Sequence, residues 1–286
     1  TMLPQDVQRR LLGAVQPLIK SHTVNSLRLS TRPDALDDEA LCLLKEYHVG
    51  TVEIGVQSLH DDVLGMAGRG HSADDSIRAI RRTSAAGFKT GAQLMPFLPG
   101  DTPEKSVDSV YGVIGAGARL LRIYPAIVLS GTRLADLYMR GEWQPASIEE
   151  AVKVAAKMQN ISTSGGVAVI RTGLQSDEAL VAGETILSGP WHPAFGQLVR
   201  GELYFAMVRK LASATRGTVS RVFSHPLRIS DVAGHSGINI ERLIKLGVHV
   251  ERIDTDPGLC REEVAVEIDG YMYKGSIIKD LEQEEI

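Results

Sequence analysis

Residues 49–102 read VGTVEIGVQSLHDDVLGMAGRGHSADDSIRAIRRTSAAGFKTGAQLMPFLPGDT, and this stretch decides the fold. Two short, mostly apolar runs, residues 51–56 and 89–95, have the composition of strands that are covered on both faces. Between them, Ser72 and Asp75 have the spacing of a capping box, and apolar residues follow at helical intervals. A buried strand, a capped helix and a second buried strand predict a parallel βαβ unit.

The same pattern repeats through the first 170 residues or so. It predicts strands at residues 26–30, 51–56, 89–95, 119–124 and 167–171, and capped helices that begin at Asp37, Ser72, Thr102 and Ser147. Repeated βα units of this kind predict an α/β protein with a parallel sheet, open or closed into a barrel. The first 19 residues predict an amphipathic helix with no strand before it, so we expect the chain to begin one or two βα units late.

A different pattern follows residue 175. It predicts a loop-rich crossing segment at 175–190, a long helix at 193–214, strands at 219–224 and 248–253, a helix pair at 227–246, a hairpin at 263–278 and a frayed acidic tail at 279–286. The last of these elements make a small α+β unit. We therefore expect three parts: residues 1–175, 176–215 and 216–286.

Composition excludes several classes of protein. The chain has 31 Lys and Arg against 35 Asp and Glu, a net charge of −4, which argues against a strongly electropositive nucleic-acid surface. No apolar run has the length of a membrane span and no signal-peptide pattern is present, so we expect a cytoplasmic protein without a membrane partner. The two cysteines, Cys42 and Cys260, form neither a disulfide framework nor a zinc site. We expect Cys42 on the apolar side of a helix, buried in the protein core, and Cys260 in a loop.

Polar side chains follow the predicted strands where ligands bind in parallel α/β folds. They are Ser30, Arg32, Gln57, Gln93 and Tyr124. The set has no carboxylate pair and no Ser-His-Asp triad. It therefore suits a site that binds a polar organic molecule while a cofactor supplies the reactive chemistry. A surface ion pair is the competing interpretation for Arg32, and a simple turn for residues 99–102. Glutamines inside buried strands are harder to dismiss, because their amides need hydrogen-bond partners.

Ordered motifs across roughly residues 1–200 resemble one family. They are LSTRPD at 29–34, EIGVQS at 53–58, GRGH at 68–71, QLMPFLPGDT at 93–102 and RIYP at 122–125. Together they resemble the radical S-adenosylmethionine enzymes, in the branch of the Elongator catalytic subunit and its bacterial relatives. Oxygen-independent coproporphyrinogen oxidase is a more distant likeness.

The resemblance implies a partial (β/α) barrel that binds S-adenosylmethionine and a [4Fe–4S] cluster. It implies cleavage of the cofactor to a 5′-deoxyadenosyl radical, which abstracts hydrogen from an unidentified substrate. By position, Gln57, Arg69 and Gln93 correspond to contacts with the cofactor's ribose and carboxylate, and Tyr124 to a residue near adenine. Ser30 stands where the coproporphyrinogen oxidase branch has a glutamate.

The family's Cys-x3-Cys-x2-Cys loop, which holds the cluster, is absent from these 286 residues. We therefore expect the missing first strands to account for the late start, either in a fragment of a longer enzyme or in a relative that has lost its cluster. The chain alone is then expected to be inactive. An incomplete barrel exposes a strand edge and apolar surface, so a homodimer through that edge is also expected.

Gly234, His235, Ser236 and Gly237 resemble the Gly-x-x-Gly loop of a KH module. This suggests an alternative function, in which a cluster-less module binds RNA, with tRNA as a candidate, through the loop. A structural αβ appendage that covers the barrel is the competing interpretation. His192, beside Trp191, is expected to be a packed histidine.

Overall fold

The computed structural model describes residues 2–175, 185–214 and 219–286. The first part consists of α1 (Gln5–Lys20), β1 (Leu27–Thr31), α2 (Asp38–Glu46), β2 (Val49–Gln57), α3 (Asp61–Met66), α4 (Ala73–Ala85), β3 (Lys89–Leu94), α5 (Pro103–Ala116), β4 (Leu120–Ile123), β5 (Val128–Leu129), α6 (Arg133–Met139), α7 (Ile148–Ser164) and β6 (Ala168–Thr172). The strands agree with the five predicted ones to within a few residues. Asp37, Ser72, Thr102 and Ser147 cap α2, α4, α5 and α7 through side-chain hydrogen bonds, as predicted.

Five strands form a parallel sheet in the order β1-β2-β3-β4-β6. One face carries residues such as Val52, Ile54 and Leu121, which are fully buried. The register places Ser30 beside Glu53 and Glu53 beside Gly91 on the other face. An apolar face and a polar face on one parallel sheet are what an incomplete (β/α) barrel requires, so the predicted fold class is confirmed.

The second part consists of β7 (Ile186–Ser188), α8 (Phe195–Ser213), β8 (Val219–Ser224), α9 (Ile229–Ala233), α10 (Ile238–Lys245), β9 (Arg252–Thr255), β10 (Glu263–Ile268) and β11 (Tyr271–Ser276). Four of these strands form a mixed sheet in the order β11-β10-β8-β9, with β8 and β9 parallel. Separately, β7 pairs antiparallel with β5, so the segment predicted as loop contains a short strand. Residues 176–184 of that segment lie outside the described residues.

Helix α8 joins the two sheets. Six consecutive residues from Leu203 to Val208 are buried, which requires neighbours on every side of the helix. One apolar cluster accordingly runs from Val52 in the barrel to Val264 and Val266 in the C-terminal sheet. The division at residues 175 and 215 stays a prediction, and the core itself is continuous.

Two predictions about individual segments are wrong, whereas the predicted helix pair is present as α9 and α10. The strand expected at 248–253 lies at Arg252–Thr255, because the parallel register aligns Arg252 with Arg221 and Thr255 with Ser224. Cys42 is exposed, because α2 turns about 100° per residue and buries Leu41, Leu43 and Leu44 instead.

The acidic tail is docked and not frayed. Leu281 is buried, and Lys210 Nζ lies 2.8 Å from Glu285 Oε2. Asn160 and Ser164 of α7 donate to the carbonyl oxygens of Ile277 and Ile278, at 2.9 and 2.6 Å. These contacts tie the chain's end to both the barrel and α8. Among the described residues, no helix is long and apolar enough to span a membrane.

Candidate cofactor pocket

A cavity of about 400 Å³ lies where β1, β2 and β3 end. Its lining includes five of the six residues expected at the cofactor site: Ser30, Arg32, Gln57, Arg69 and Gln93. The carboxyl ends of parallel strands meet at one edge of the sheet, which brings together residues more than 60 positions apart in sequence. Tyr124 does not line this cavity.

Gln57 ends β2 in a left-handed conformation, with φ 68°, although it is not glycine. Such a backbone costs on the order of 1 kcal/mol and persists only where the surroundings hold it. Its carbonyl oxygen accepts from the Met95 amide at 2.8 Å, and its Oε1 accepts from Gln93 Nε2 at 3.2 Å. The two glutamines therefore satisfy part of each other's need for partners, as sequence reasoning required.

Gly55 leaves the room that this arrangement needs. A Cβ at that position would lie 2.7 Å from Gln57 Nε2 and 3.8 Å from Arg69 Nη2. Any side chain there would push the glutamine amide away from the mouth of the cavity. Gly55, the glycine of the EIGVQS motif, is thus needed so that the Gln57 amide can keep its position.

Arg69 is held between two glycines in left-handed conformations, Gly68 and Gly70, with φ 63° and 71°. Its Nε is buried and has no hydrogen-bond partner among the described residues. Burial, and then the nearby charge of Arg32, lower the pKa of Arg69 from its ordinary value. An unpartnered guanidinium donor of this kind fits a carboxylate ligand.

Arg32 forms the ion pair that was the competing interpretation. Its Nε and Nη2 lie 2.9 and 2.7 Å from the two carboxylate oxygens of Asp34, and Nη2 lies 3.4 Å from the Gly70 carbonyl oxygen. The hydrogen bond from Arg32 lowers the pKa of Asp34. Arg32 therefore lines the cavity while it also supports the turn that carries Arg69.

Sequence reasoning missed a buried ionic network on the same polar face of the sheet. The side chain of Glu53 is 4% exposed; one of its oxygens lies 2.7 Å from Arg122 Nε, and it also pairs with Arg28. Arg122 Nη1 in turn donates to Tyr124 Oη at 2.9 Å. Burial and the charge of Arg122 lower the pKa of Arg28.

Glu53 and Arg122 stand on strands that are not neighbours, and Gly91 of the intervening strand lets them meet. A Cβ on Gly91 would lie 3.0 Å from Glu53 Cγ. One signal for the network was present in the sequence: a carboxylate between Val52 and Ile54 in a buried strand needs a charged partner. The identity of that partner depends on strand order, which the sequence does not state.

The PGDT segment is a turn that feeds a capped helix, as the simpler interpretation held. Asp101 Oδ2 accepts from the Phe97 amide at 2.7 Å and from the Ser106 hydroxyl at 2.6 Å, and Thr102 caps α5. Burial raises the pKa of Asp101. Asp101 therefore stabilises the turn through hydrogen bonds within it.

The Gly-x-x-Gly loop joins α9 to α10. Gly234 is buried, and a Cβ there would lie 2.8 Å from Asn239 Cγ, whose amide donates to the Gly201 carbonyl oxygen at 2.8 Å. Gly234 therefore has a packing role against α8. His235 and Ser236 are exposed, and the His235 ring lies 5.0 Å from that of His192 in an edge-to-face arrangement.

The cavity at the strand ends suits S-adenosylmethionine and not a metal cluster. Amides, a hydroxyl and the guanidinium group of Arg69, whose Nε has no partner among the described residues, are complementary to ribose hydroxyls and to a carboxylate. In the described part of the chain, no group of three or more His, Cys, Asp or Glu side chains is placed to hold a metal ion. Cys42 and Cys260 are both exposed, and neither lines the cavity. The residues present therefore do not fit an iron–sulfur cluster.

Comparison with known proteins identifies the class to which this fold and pocket belong. The model of the Radical SAM superfamily matches residues 8–110, and that of the Radical_SAM C-terminal domain matches residues 118–204. The chain belongs to the radical S-adenosylmethionine superfamily, whose enzymes use S-adenosylmethionine and a [4Fe–4S] cluster.

Its similarities confirm the resemblance to the Elongator branch. The chain is 32% identical over 143 residues to the tRNA uridine(34) acetyltransferase of Methanocaldococcus infernus, a match that covers 49% of this chain and 27% of that protein. It is 29% identical over 156 residues to Elongator complex protein 3 of Saccharomyces cerevisiae, covering 54% and 28%. A solved structure of M. infernus Elp3 with an N-terminal deletion is 30% identical, with a TM-score of 0.56, and the match covers 65% of this chain and 42% of that one. The chain thus spans about a quarter of the length of these two curated relatives.

Proposed function

We propose that this chain is the S-adenosylmethionine-binding part of a radical enzyme that acts on tRNA. The observation that carries the proposal is the cavity at the strand ends, which is lined by the hydrogen-bonded amides of Gln57 and Gln93 and by Arg69, whose buried Nε has no partner among the described residues. The tRNA substrate is supported by the relatives, one of which is described as a tRNA uridine(34) acetyltransferase. A cytoplasmic location agrees with that chemistry.

In this proposal each residue has a separate role toward the cofactor. Gln57 and Gln93 hydrogen-bond the ribose hydroxyls, and Arg69 binds the carboxylate. Tyr124, which accepts a hydrogen bond from Arg122, lies outside the cavity lining, and its proposed place near adenine rests on its correspondence to the family position. Bound S-adenosylmethionine would supply a 5′-deoxyadenosyl radical once it is reductively cleaved.

The chain by itself is proposed to be catalytically silent. Its two cysteines are fewer than the three thiolates that the family's cluster loop provides. Cluster ligands would therefore have to come from residues other than these 286. After anaerobic iron–sulfur reconstitution, we expect this chain to form no 5′-deoxyadenosine on reduction; formation of deoxyadenosine would refute this part of the proposal.

Cofactor binding can be tested without catalysis. Saturation-transfer NMR detects weak ligands, and we expect a signal for S-adenosylmethionine with the wild-type chain. The signal should fall in Arg69→Gln and Gln93→Ala, because each change removes a donor from the cavity. Arg81→Gln is the matched control, since Arg81 is exposed and outside the lining. A signal that is absent, or equal in all four proteins, would contradict the proposed function.

A second candidate is the RNA-binding module. It is supported by the exposure of His235 and Ser236 on a short loop between two helices. Against it, Gly234 is used in packing, and Arg242 on the following helix is paired with Glu202 at 2.6 Å. The loop is therefore the weaker candidate.

A further inference from the structure

A second, larger cavity lies beside β6, which is the edge strand of the parallel sheet opposite β1. Its volume is about 570 Å³, and it is enclosed by the end of β6, the first turn of α8 and the C-terminal unit. It has no lining residue in common with the cofactor pocket. Cavities of 300–1,000 Å³ are the usual size for small-molecule sites.

Four arginines line this cavity: Arg171, Arg200, Arg228 and Arg261. Arg200 and Arg228 share Asp231, at 2.9 and 3.1 Å from its Oδ2. Arg171 and Arg261 form no ion pair or side-chain hydrogen bond within the described ranges. Glu262 is the one acidic residue in the described lining, so positive charge is in excess there.

The arginines are placed by contacts that the sequence explains. Arg171 lies near the end of β6, two residues before Gly173, which has φ 80°. A Cβ on Gly173 would lie 2.8 Å from Phe195 Cβ, so only glycine allows this approach. The first turn of α8 is thereby held against the end of the strand, and the partial positive charge of a helix start adds to that of the arginines.

The backbone of Arg261 is held by a hydrogen bond from a buried residue of α8. The hydroxyl of Tyr204 donates to the carbonyl oxygen of Arg261. Tyr204 is fully buried in α8, and burial raises its pKa, so the hydroxyl remains a donor. The backbone of Arg261 is fixed while its exposed side chain stays available.

We propose that this cavity binds a phosphoryl group, with Arg171 and Arg261 as the charged ligands. The planar guanidinium fork matches the oxygens of phosphate and can donate two parallel hydrogen bonds to it. Asp231 neutralises the other two arginines only in part, so an anion also relieves their mutual repulsion. The phosphoryl group belongs either to a small phosphorylated molecule or to a nucleic-acid backbone.

Calorimetric titration at low salt with inorganic pyrophosphate and with a short single-stranded oligoribonucleotide distinguishes the two sources. Binding of pyrophosphate alone assigns a small ligand, and binding of the oligonucleotide in competition with pyrophosphate assigns a backbone phosphate. In either case Arg171→Gln and Arg261→Gln should each weaken binding about tenfold, because each removes one charge-assisted contact. Circular dichroism of the variants checks that they are folded.

Arg81→Gln, which removes the same charge from an exposed position on α4, is the control and should leave binding unchanged. Binding of neither probe, or an equal loss in the control, would overturn the proposal. The Arg171 and Arg261 variants should bind S-adenosylmethionine like the wild type, so failure here is separable from failure of the proposed function.

Discussion

Glu53 and Gln57 are the two polar side chains that β2 buries, and each is satisfied in a different way. Gln57 bonds to Gln93 on the adjacent strand. Glu53 reaches two arginines, one of them on a strand two positions away. The amide pair lines the cavity at the strand ends, and the carboxylate pairs with Arg122, which in turn donates to Tyr124.

Replacing Glu53 by glutamine should destabilise the fold. The change leaves Arg28 and Arg122 without their counter-charge, and loss of one member of a buried pair costs several kcal/mol. Because the two arginine side chains are 44% and 30% exposed, solvent screening reduces the expected loss to about 1–2 kcal/mol. Urea unfolding at neutral pH measures the difference.

Glu46→Gln is the matched control, since it breaks the exposed pair with Arg9 and should cost under about 1 kcal/mol. Equal unfolding midpoints for the Glu53 and Glu46 variants would show that the Glu53 network contributes no more than a surface pair.

At the scale of elements, local sequence signals correctly predicted where four helices of the first part of the chain begin. Two complete capping boxes, Ser72 with Asp75 and Ser147 with Glu150, begin the helices where the sequence indicated. Each such signal spans four residues and needs no tertiary partner. The C-terminal strand at Arg252–Thr255 was misplaced because its position depends on alignment with β8 and not on its own apolar residues.

The loop between α9 and α10 allows a direct test of the RNA-binding alternative. If His235 and Ser236 contact RNA, Ser236→Asp should reduce tRNA affinity by adding a negative charge at the contact. Ser236 has φ 54°, a conformation that aspartate tolerates, and it is exposed, so the fold should be preserved. Gly234→Asp is unsuitable as a test, because the new side chain would collide with Asn239.

Filter binding with tRNA at several salt concentrations measures the effect, with Asn25→Asp, which adds the same charge at an exposed position before β1, as the control. Affinity that is the same in wild type and Ser236→Asp at every salt concentration would exclude this loop as an RNA contact.

At the scale of the whole molecule, the barrel sheet has one edge at β1, which pairs with β2 alone among the described strands. Helix α1, which precedes it, has no buried residue, and Leu11 and Leu18 are about half exposed. Exposed apolar side chains beside a sheet edge mark a surface for association.

We therefore expect a concentration-dependent dimer through this edge. Light scattering coupled to size-exclusion chromatography should show an average mass that rises with loading. Leu11→Lys with Leu18→Lys should shift the equilibrium to monomer, because two charges would have to be desolvated. A single lysine at Met139, an exposed residue at the end of α6, is the control. A strict monomer at all concentrations would refute this expectation.

The sequence by itself determined the succession of strands and helices along most of the chain, the helix caps, the family and five residues that line the cavity at the strand ends. These depend on local spacing or on motifs that lie within a few residues of one another. Only the tertiary structure decided that Glu53 meets Arg122 across Gly91, that Cys42 faces solvent, that the acidic tail is docked, and that four arginines line one cavity. Each of these depends on which distant side chains are brought together, and packing of the whole chain sets that distance.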